Sequence, residues 1–444
     1  MPLRHRLFAL ILLSLLLVAS CGSVQPTVTL LPVTATQAAV VAADSPLPPT
    51  AAPALPTVPA VATKAEPRAA PTEVSPAPSA VATTGAGSFS RDQTIEDVQQ
   101  LDREIERVFR ESDCPGLAVG VIKDQELIYA KGFGVTNLET GGEVTPRTLF
   151  HMASVTKPFV ATAIMQLLEQ EKLSLDDSIV KHLPYFEMLD RRHTMLTIRQ
   201  FLTHSSGMPD VDDYHWDEPE YDEGALERLV RSLSDGMLVS VPGGQFNYSN
   251  LAFDVLGDLI AKVSGQSFAD YVKEHILLPL GMNDSSILIR DVDPALLANG
   301  HIQEEGGTIS VSEHYAYNRR HGPSSCLYSN VVDMSQWAIA NMNRGELEGR
   351  RILDESSYEL LWAPAVVVGV REGTPRHVGL SWFLSEYAGY ETVSHGGRDI
   401  GYQTNFVMVP DEGVAVIVLS NLFGPESIVN EVTEMALELA LGSE

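Results

Sequence analysis

The chain has 444 residues, of which 44% are hydrophobic and 20% are charged; these fractions match average globular proteins and exclude a chain that is disordered throughout or collagen-like. Lys and Arg together number 30 against 58 Asp and Glu, which gives a net charge of −28. Phosphate groups repel such a polyanion, so the composition argues against direct binding of DNA or RNA and against adsorption to an acidic membrane through basic residues.

Residues 1–21 have the pattern of a secretory signal. Arg4 and Arg6 precede an apolar run from Leu7 to Val18, which is shorter than the ~20 residues of a membrane-spanning helix but suits a signal-peptide core. Small residues and then Cys21 follow at once, which resembles a bacterial lipoprotein signal in which Cys21 becomes the lipidated first residue. An ordinary secretory signal with an incidental cysteine is the alternative. We expect an extracytoplasmic protein, on the cell surface or in the periplasm, that is anchored to the membrane through acyl chains on Cys21.

Residues 22–91 differ in composition from everything that follows. Pro, Ala, Thr and Val dominate, and no aromatic residue occurs between Gly22 and Ser88. Such a segment cannot bury enough apolar surface to offset its chain entropy, so we predict a disordered linker that its prolines bias toward an extended stalk. The folded body is therefore predicted to span residues 92–444.

The body begins and ends with strand patterns that flank a helical middle. Periodicity predicts a helix over 94–111, a hairpin of strands over 116–122 and 126–135, and an apolar helix over 154–171. The middle, from about 173 to 343, is mostly helix and loop, with helices over 251–263 and 268–277. Strand patterns return over 378–385, 391–395, 403–409 and 414–419, before a helix over 426–441. This order predicts an α+β fold in which both ends of the body form one sheet and a mainly helical lobe is inserted between them.

Neither the cysteines nor the histidines indicate a metal site. Three cysteines, Cys21, Cys114 and Cys326, are too few for a dense disulfide framework or a Cys-based zinc site. Whether Cys114 and Cys326 are paired stays open, and Cys326 is interpreted as a small packed residue rather than a reactive thiol. The 12 histidines include no His-Glu-x-x-His motif. We interpret three of them as polar loop residues: His301, His314 and His321.

The first pattern that indicates chemistry is Ser154-Val155-Thr156-Lys157. Positions i and i+3 of a helix share a face, so Lys157 is predicted to lie beside the Ser154 hydroxyl. Free N–H groups at a helix start can stabilise an oxyanion, and desolvation can lower the pKa of Lys157 until it accepts the serine proton. The same spacing recurs at Ser178 and Lys181, but in a loop context, so we interpret Ser178 as structural.

Two further patterns occur later in the chain. Tyr248-Ser249-Asn250 follows a glycine-containing loop and directly precedes a predicted helix, whereas the similar Tyr328-Ser329-Asn330 is interpreted as a packing segment. Ser394-His395-Gly396-Gly397 ends a predicted strand, and its glycines allow the backbone to approach a ligand closely. Each pattern alone is weak evidence for a site.

In this order the three patterns resemble the serine β-lactamase and penicillin-binding-protein superfamily. The most similar branch contains class C β-lactamases, DD-carboxypeptidases, D-aminopeptidases and related esterases. Other stretches add to the resemblance, which spans about residues 116–421: Phe201–Pro209, Gly379–Trp382, His395–Pro410 and Val416–Asn421. It implies an antiparallel sheet with helices on both faces, a helical lobe, a cleft between them, and no metal or organic cofactor.

The resemblance also implies a role for each motif residue. Ser154 is the acylated nucleophile, Lys157 activates it, and Tyr248 relays protons as base and then as acid. Asn250 orients Lys157 or a substrate amide. The other implied residues contact the substrate: His395 lines the acyl site beside Gly396 and Gly397, and the backbone amides of Ser154 and Arg398 form an oxyanion hole.

Two positions depart from that family. Class C β-lactamases carry Lys-Thr-Gly where this chain has His395-Gly396-Gly397, and many relatives carry a small glycine pair where this chain has Ser325-Cys326. A neutral histidine would deprive a β-lactam carboxylate of a charge-assisted contact. We therefore expect uncharged acyl esters to be preferred, unless the Arg398 side chain points into the cleft and supplies the cation.

An acidic run over 210–223 lacks the spacing of a calcium-binding loop, so we interpret it as a solvated acidic loop, with Trp216 and Tyr221 as candidates for the edge of a substrate entrance. The expected function is a serine hydrolase that acts outside the cytoplasm on an ester or amide of a small-molecule or peptide acyl substrate. Alternatives are a DD-carboxypeptidase, D-aminopeptidase or β-lactamase acting on cell-wall peptides or β-lactams, and a surface-binding protein without turnover.

Overall fold

A computed structural model describes residues 91–304, 306–371, 373–424 and 428–442. The predicted signal segment, Cys21 and nearly all of the predicted linker lie outside the described residues. The helices are α1 (Arg91–Glu111), α2 (Lys157–Glu169), α3 (Ile179–His182), α4 (Ile198–Leu202), α5 (Ala225–Ser232), α6 (Asn250–Ser264), α7 (Phe268–Val272), α8 (Gly322–Ser325), α9 (Val331–Met342), α10 (Glu355–Leu361) and α11 (Val429–Leu441). Among the helices in the part of the chain that the structure describes, none combines the length and the apolar character needed to cross a bilayer.

The strands are β1 (Gly116–Lys123), β2 (Glu126–Gly134), β3 (Phe150–His151), β4 (His301–Gln303), β5 (Ile309–Val311), β6 (Tyr328–Ser329), β7 (Glu346–Leu347), β8 (Arg350–Arg351), β9 (Val366–Arg371), β10 (Thr374–Val378), β11 (Phe383–Tyr387), β12 (Tyr390–Asp399), β13 (Tyr402–Val409), β14 (Val414–Ser420) and β15 (Leu422–Phe423). Eight of them form one sheet in the order β2-β1-β14-β13-β12-β11-β10-β9. Every neighbouring pair in this sheet is antiparallel.

One pairing within the sheet, between β1 and β14, joins the two ends of the body. Residues Leu117 to Lys123 of β1 pair with Ser420 to Val414 of β14. All helices from α2 to α10 lie between β2 and β11 in the chain. The predicted α+β class, with a sheet built from both ends and an inserted helical lobe, is therefore confirmed.

The sheet separates two apolar cores. Successive side chains of a strand point to opposite faces, and β14 is buried along its whole length. Val414, Val416 and Val418 pack with the apolar residues of α1 and α11. The alternate residues, such as Ile417 and Leu419, pack with the inserted helical lobe. A strand covered on both faces has an unbroken apolar sequence, which explains the run over 414–419.

Two predicted elements differ in the structure. The helix predicted over 154–171 begins only at Lys157, after a 3₁₀ turn over Ala153–Thr156. Pro158 at the first turn favours this start because proline lacks the N–H that a longer helix would use. The single strand predicted over 378–385 is wrong, because β10 ends at Val378 and β11 begins at Phe383. The intervening turn bends toward the helical lobe, where Ser381 N donates to Leu202 O at 2.8 Å.

Two of the three histidines interpreted as loop residues are buried, so that interpretation is wrong for them. His301 begins β4, where its Nδ1 lies 2.9 Å from Asn421 O and its Nε2 accepts from Leu138 N at 3.1 Å. His321 donates from Nδ1 to the buried carboxylate of Asp254 at 2.7 Å. His314 is exposed. The two described thiols, Cys114 and Cys326, are buried and unpaired, so Cys326 is a packed residue as predicted.

His151 is a third buried histidine, three residues before Ser154. Its ring lies among aromatic side chains, with centroids 5.2 Å from Tyr328 and 5.6 Å from Tyr402. Among the described residues neither ring nitrogen has a hydrogen-bond partner. Burial lowers the pKa of His151 to about 4, although the nearby carboxylate of Asp399 opposes the shift.

This burial predicts a defined acid sensitivity. The unfolded chain binds a proton at His151 below pH ~6.5, while the folded chain does so only near pH 4, so His151 lowers the free energy of unfolding as pH falls across that interval. His151→Leu should remove up to ~1.4 kcal/mol of this loss per pH unit. Urea denaturation between pH 4.5 and 8 measures it, with His314→Leu as the exposed control. Equal pH slopes for wild type and His151→Leu would contradict the assignment.

Candidate active site

Ser154 lies in the 3₁₀ turn immediately before α2. Thr156 Oγ1 donates to Ala153 O at 2.7 Å within the turn, and Thr404 Oγ1 of β13 donates to Met152 O at 3.0 Å just before it. Ala153 has a φ of +48°, a conformation that costs energy for a residue with a side chain. Such strain is often found at functional sites, where the surrounding contacts maintain it. The turn presents the Ser154 hydroxyl to a solvent-open cleft.

The close approach of β12 to this turn depends on Gly397. A Cβ on Gly397 would lie 2.3 Å from both Met152 O and Thr404 Oγ1, which no ordinary side chain could avoid. A Cβ on Gly396 would have no atom nearer than 3.8 Å. The sequence interpretation assigned both glycines to the approach of a ligand. In the structure Gly397 instead allows the strand to pack against the turn that contains Ser154, and of the two glycines only Gly396 is exposed.

Lys157 is fully buried, and its Nζ lies 2.9 Å from Ser154 Oγ. The same Nζ donates to Asn250 Oδ1 at 2.6 Å and to Ser324 O at 2.7 Å. Burial lowers the pKa of Lys157 to about 7, while three surrounding carboxylates, Asp254, Asp210 and Asp399, oppose the shift. The first and second sequence motifs are thus joined through one amine.

Tyr248 is held next to Ser154 by the start of α6. Ser249 caps that helix, since its Oγ accepts from Ala252 N at 3.1 Å and donates to Pro209 O at 2.6 Å. The Tyr248 ring stacks on His204 with centroids 4.1 Å apart, and its hydroxyl hydrogen-bonds with Ser154. Burial raises the pKa of Tyr248, so the phenol stays protonated at neutral pH.

His395 provides no cation to this site. It is buried, its Nδ1 donates to Gly396 O at 2.7 Å, and the ring of Phe383 lies 5.2 Å away. Burial, reinforced by the positive charge of Lys157, lowers the pKa of His395 to about 3. The imidazole is therefore neutral at every pH at which the protein is expected to work.

The Arg398 side chain lies on the face of the sheet opposite to the turn that contains Ser154. In the β12–β13 register Gly397 lies opposite Thr404, which bonds to Met152, whereas Arg398 lies opposite Gln403. Residues two apart share a face, so Arg398 lies on the same face as Gly396 and its partner Asn405, which donates to Thr433 of α11 at 3.2 Å. The exposed Arg398 side chain starts on the α11 side, where it lines the part of the cleft that extends past β12.

The cleft in front of Ser154 has a volume of about 850 Å³ and includes Tyr248, Asn250 and His395. It extends past β12 toward α11 over hydroxyl and amide groups such as those of Ser394 and Asn430.

The two decoy motifs, which repeat the spacing of the site motifs at Ser178 and at Tyr328, lie outside the cleft. Ser178 precedes the four-residue helix α3, where Lys181 pairs with Asp177 at 2.6 Å. Tyr328 is fully buried and donates from its hydroxyl to Ala316 O at 3.1 Å.

The acidic run has a more specific arrangement than a solvated loop. Its side chains are mostly exposed, but Asp210 accepts hydrogen bonds from Asn250. Within this run the aromatic residue that lines the cleft is Tyr214, and the ring of Trp216 stacks on it with centroids 4.7 Å apart. Tyr221 packs on Tyr317 and is not part of the cleft lining. Within the described ranges no group of three or more His, Cys, Asp and Glu is arranged to hold a metal ion.

Sequence reasoning missed three residues that contact the site's core. His204 lies within the Phe201–Pro209 stretch, where it was given no role, although it supports Tyr248. Asp254 lies one turn after Asn250 in a mostly apolar helix, and a charge at a core-facing position was the available signal. Ser324 contributes only its carbonyl, which no side-chain pattern could indicate.

A family model described as Beta-lactamase matches residues 93–440, which include all of the motif residues around the cleft. The chain belongs to the beta-lactamase family. The chain is similar to the octameric penicillin-binding protein homologue from Pyrococcus abyssi, with 29% identity, a TM-score of 0.68 and 78% of each chain covered. A penicillin-binding protein from Bacillus halodurans, with 24% identity and a TM-score of 0.62 over 75% of this chain and 99% of that one, shows the same fold.

Curated relatives in the beta-lactamase family include proteins from bacteria and fungi. Protein flp of Staphylococcus aureus (strain MW2) is 27% identical over 330 residues, which are 74% of this chain and 64% of that protein. Unguisins hydrolase ungD' of Aspergillus campestris is 26% identical over 346 residues, which are 72% of this chain and 62% of that protein. The chain thus spans less than two thirds of the length of these relatives. The resemblance inferred from the motifs is confirmed at the level of the family.

Proposed function

We propose that this member of the beta-lactamase family is a serine hydrolase that forms an acyl-enzyme on Ser154 from an ester or amide. The observation that carries the proposal is the 2.9 Å contact between the buried Lys157 Nζ and Ser154 Oγ at the floor of an open cleft. An amine whose pKa is about 7 exists in both protonation states at neutral pH, which is the condition for an efficient general base. A relative named as a hydrolase supports hydrolysis as the reaction class.

The proposed reaction assigns one proton path to the described contacts. Lys157 takes the proton from Ser154 Oγ as the oxygen bonds to the acyl carbon, and the backbone amides of Ser154 and Arg398 stabilise the resulting oxyanion. Tyr248, whose phenol is protonated, donates to the leaving group and regains a proton from Lys157. Water then attacks the acyl-serine and returns a proton to Ser154 as the acid product leaves.

The proposed substrate class is an uncharged acyl ester. Class C β-lactamases carry a lysine where this chain has the neutral His395, and Arg398 starts from the opposite face of the sheet. A substrate carboxylate beside His395 would meet a neutral imidazole in place of a cation, and a hydrogen bond to a charged group contributes ~1.5–3 kcal/mol. The acidic residues from Asp210 to Glu223 add repulsion toward anions.

Replacement of the nucleophile tests the reaction class. Ser154→Ala should abolish labelling by a fluorophosphonate probe and hydrolysis of p-nitrophenyl esters, because the hydroxyl in contact with the Lys157 amine is lost. The fold should be intact, since the substitution removes only one hydroxyl group that faces the cleft. Ser178→Ala, at the decoy motif, is the matched control and should keep wild-type labelling. Labelling of Ser154→Ala at the wild-type rate would refute Ser154 as the acylated residue. A wild-type protein that is neither labelled nor active on the esters would favour a binding protein without turnover.

Substrate preference tests the ester assignment. We expect kcat/KM on p-nitrophenyl butyrate to exceed kcat/KM on nitrocefin by about tenfold or more, from the loss of one charge-assisted contact. His395→Lys should reduce the ratio of the two kcat/KM values, because it introduces a cation at the position where class C β-lactamases carry a lysine. A clear preference of the wild-type protein for nitrocefin would instead support the β-lactamase or DD-peptidase alternatives.

We also propose that the protein is anchored outside the cytoplasm by lipid on Cys21, which the pattern of residues 1–21 supports. Cys21→Ser should abolish incorporation of a palmitate analogue during metabolic labelling and move the protein out of the membrane fraction. Cys114→Ser, at a buried thiol, is the control and should be labelled as wild type. Equal incorporation into wild type and Cys21→Ser would exclude Cys21 as the lipid attachment site.

A further inference from the structure

The amine of Lys157 has three hydrogen-bond partners of unequal kind. Asn250 Oδ1 and Ser324 O can only accept, so each requires an N–H from Nζ whatever the protonation state. The Ser154 hydroxyl can donate as well as accept. When Lys157 loses a proton it keeps two N–H groups for the two obligatory acceptors. Its lone pair must then point at Ser154, the one partner able to donate to it.

This selection requires that the Asn250 side chain presents oxygen, not nitrogen, to Lys157. A carboxamide can rotate and exchange the two, and Nδ2 would then compete for the lone pair. Asp210 prevents the exchange, because its Oδ1 accepts from Asn250 Nδ2 at 2.9 Å and from Asn250 N at 2.8 Å. In the rotated amide two acceptor oxygens would oppose each other. Asp210 therefore holds the first acceptor in place.

A second carboxylate holds the other acceptor. Asp254 is fully buried on α6, one turn after Asn250. Its Oδ1 accepts from Ser324 N at 3.1 Å, and its Oδ2 accepts from His321 Nδ1 at 2.7 Å. These bonds fix the segment around α8 at two points, and Ser325 Oγ adds a third by donating to Asp399 at 2.6 Å. The Ser324 carbonyl is consequently directed at Lys157.

We propose that Asp210 and Asp254 are positioning residues that orient the two obligatory acceptors of Lys157 and so direct its lone pair at Ser154. The inference rests on the proposed function of Ser154 and Lys157. Neither carboxylate contacts Ser154 in the described structure, so both act through Asn250 and Ser324. Asp210 is the more informative of the two, because its side chain is exposed and its replacement leaves the core unchanged.

Each carboxylate also has a charge effect of known sign. Negative charges beside Lys157 favour its protonated form, so removal of one should lower the pKa of Lys157 and move the onset of activity to lower pH. The other titratable groups around Lys157 are on separate elements and stay unchanged in the test: Asp399, His204, His395, Tyr248 and His321. Position and charge can thus be separated by the choice of substitution.

The test is the second-order rate constant of fluorophosphonate labelling between pH 5 and 9. Asp210→Asn keeps an oxygen for both Asn250 donors but removes the charge. The pH at which its labelling rate constant rises should therefore be lower than in wild type, while the maximal rate constant at high pH, the plateau, should stay within about threefold of wild type. Asp210→Ala removes the acceptor oxygen as well as the charge. Its plateau rate constant should fall about 10²-fold, as expected for a misplaced catalytic group. Asp212→Asn and Asp212→Ala are the controls, because Asp212 is exposed and, within the described ranges, takes part in no side-chain hydrogen bond or ion pair.

The possible results separate the two proposals. An unlabelled wild-type protein would overturn the proposed function itself, whereas a labelled wild type with an Asp210→Ala plateau equal to that of wild type would overturn only the positioning role. An equal loss of plateau rate in Asp210→Ala and Asp212→Ala would likewise overturn it, because the loss would then not depend on the contact of Asp210 with Asn250. Asp254→Asn should lower the pH at which labelling begins by more than Asp210→Asn does, since a buried charge is less screened. If Asp254→Asn does not fold, the Asp210 series still decides the role of Asp210.

Discussion

A single buried amine imposes the constraint on which the rest of the site depends. Removing an ammonium group from water is costly unless every N–H finds an acceptor. The Lys157 amine is satisfied by Ser154 on the preceding turn, Asn250 at the start of α6 and the Ser324 carbonyl in α8. These three elements are distant in the chain, so the amine can be buried only when the helical lobe is assembled. The same burial produces the lowered pKa on which the proposed chemistry relies.

The sheet supplies the other wall of the cleft through two long-range contacts. Pairing of β1 with β14 brings the two ends of the body together in one sheet. Gly397 then lets β12 contact the turn before Ser154, and Thr404 bonds to that turn from β13. Ser154 is therefore held between the lobe, which contributes Lys157 and Tyr248, and strands β12 and β13 of the sheet.

The departure at His395 places a neutral side chain in this cleft where class C β-lactamases carry a lysine. Burial keeps the imidazole neutral, and strand alternation places Arg398 on the α11 side. Family membership therefore does not carry over the anion-binding position of class C β-lactamases. The negative charge of the chain and the acidic residues beside the cleft act in the same direction.

The sequence alone determined the features that depend on local spacing. Apolar periodicity located most helices and strands, and the i, i+3 spacing placed Lys157 beside Ser154 because one helical turn brings those positions together. Sequence context also separated the Tyr248 motif from its decoy at Tyr328. The break between β10 and β11 was missed because it arises from contact of the turn at Ser381 with Leu202 of the lobe.

Only the tertiary structure decided which distant groups meet. The burial of His301 and His321, the contact of Asp210 with Asn250, and the approach of the Ser324 carbonyl to Lys157 all join segments far apart in the chain. No local pattern encodes them, because they follow from how the sheet and the lobe pack. The direction of Arg398 was likewise undecided until the β12–β13 register fixed its face, since a shift of one residue would reverse it.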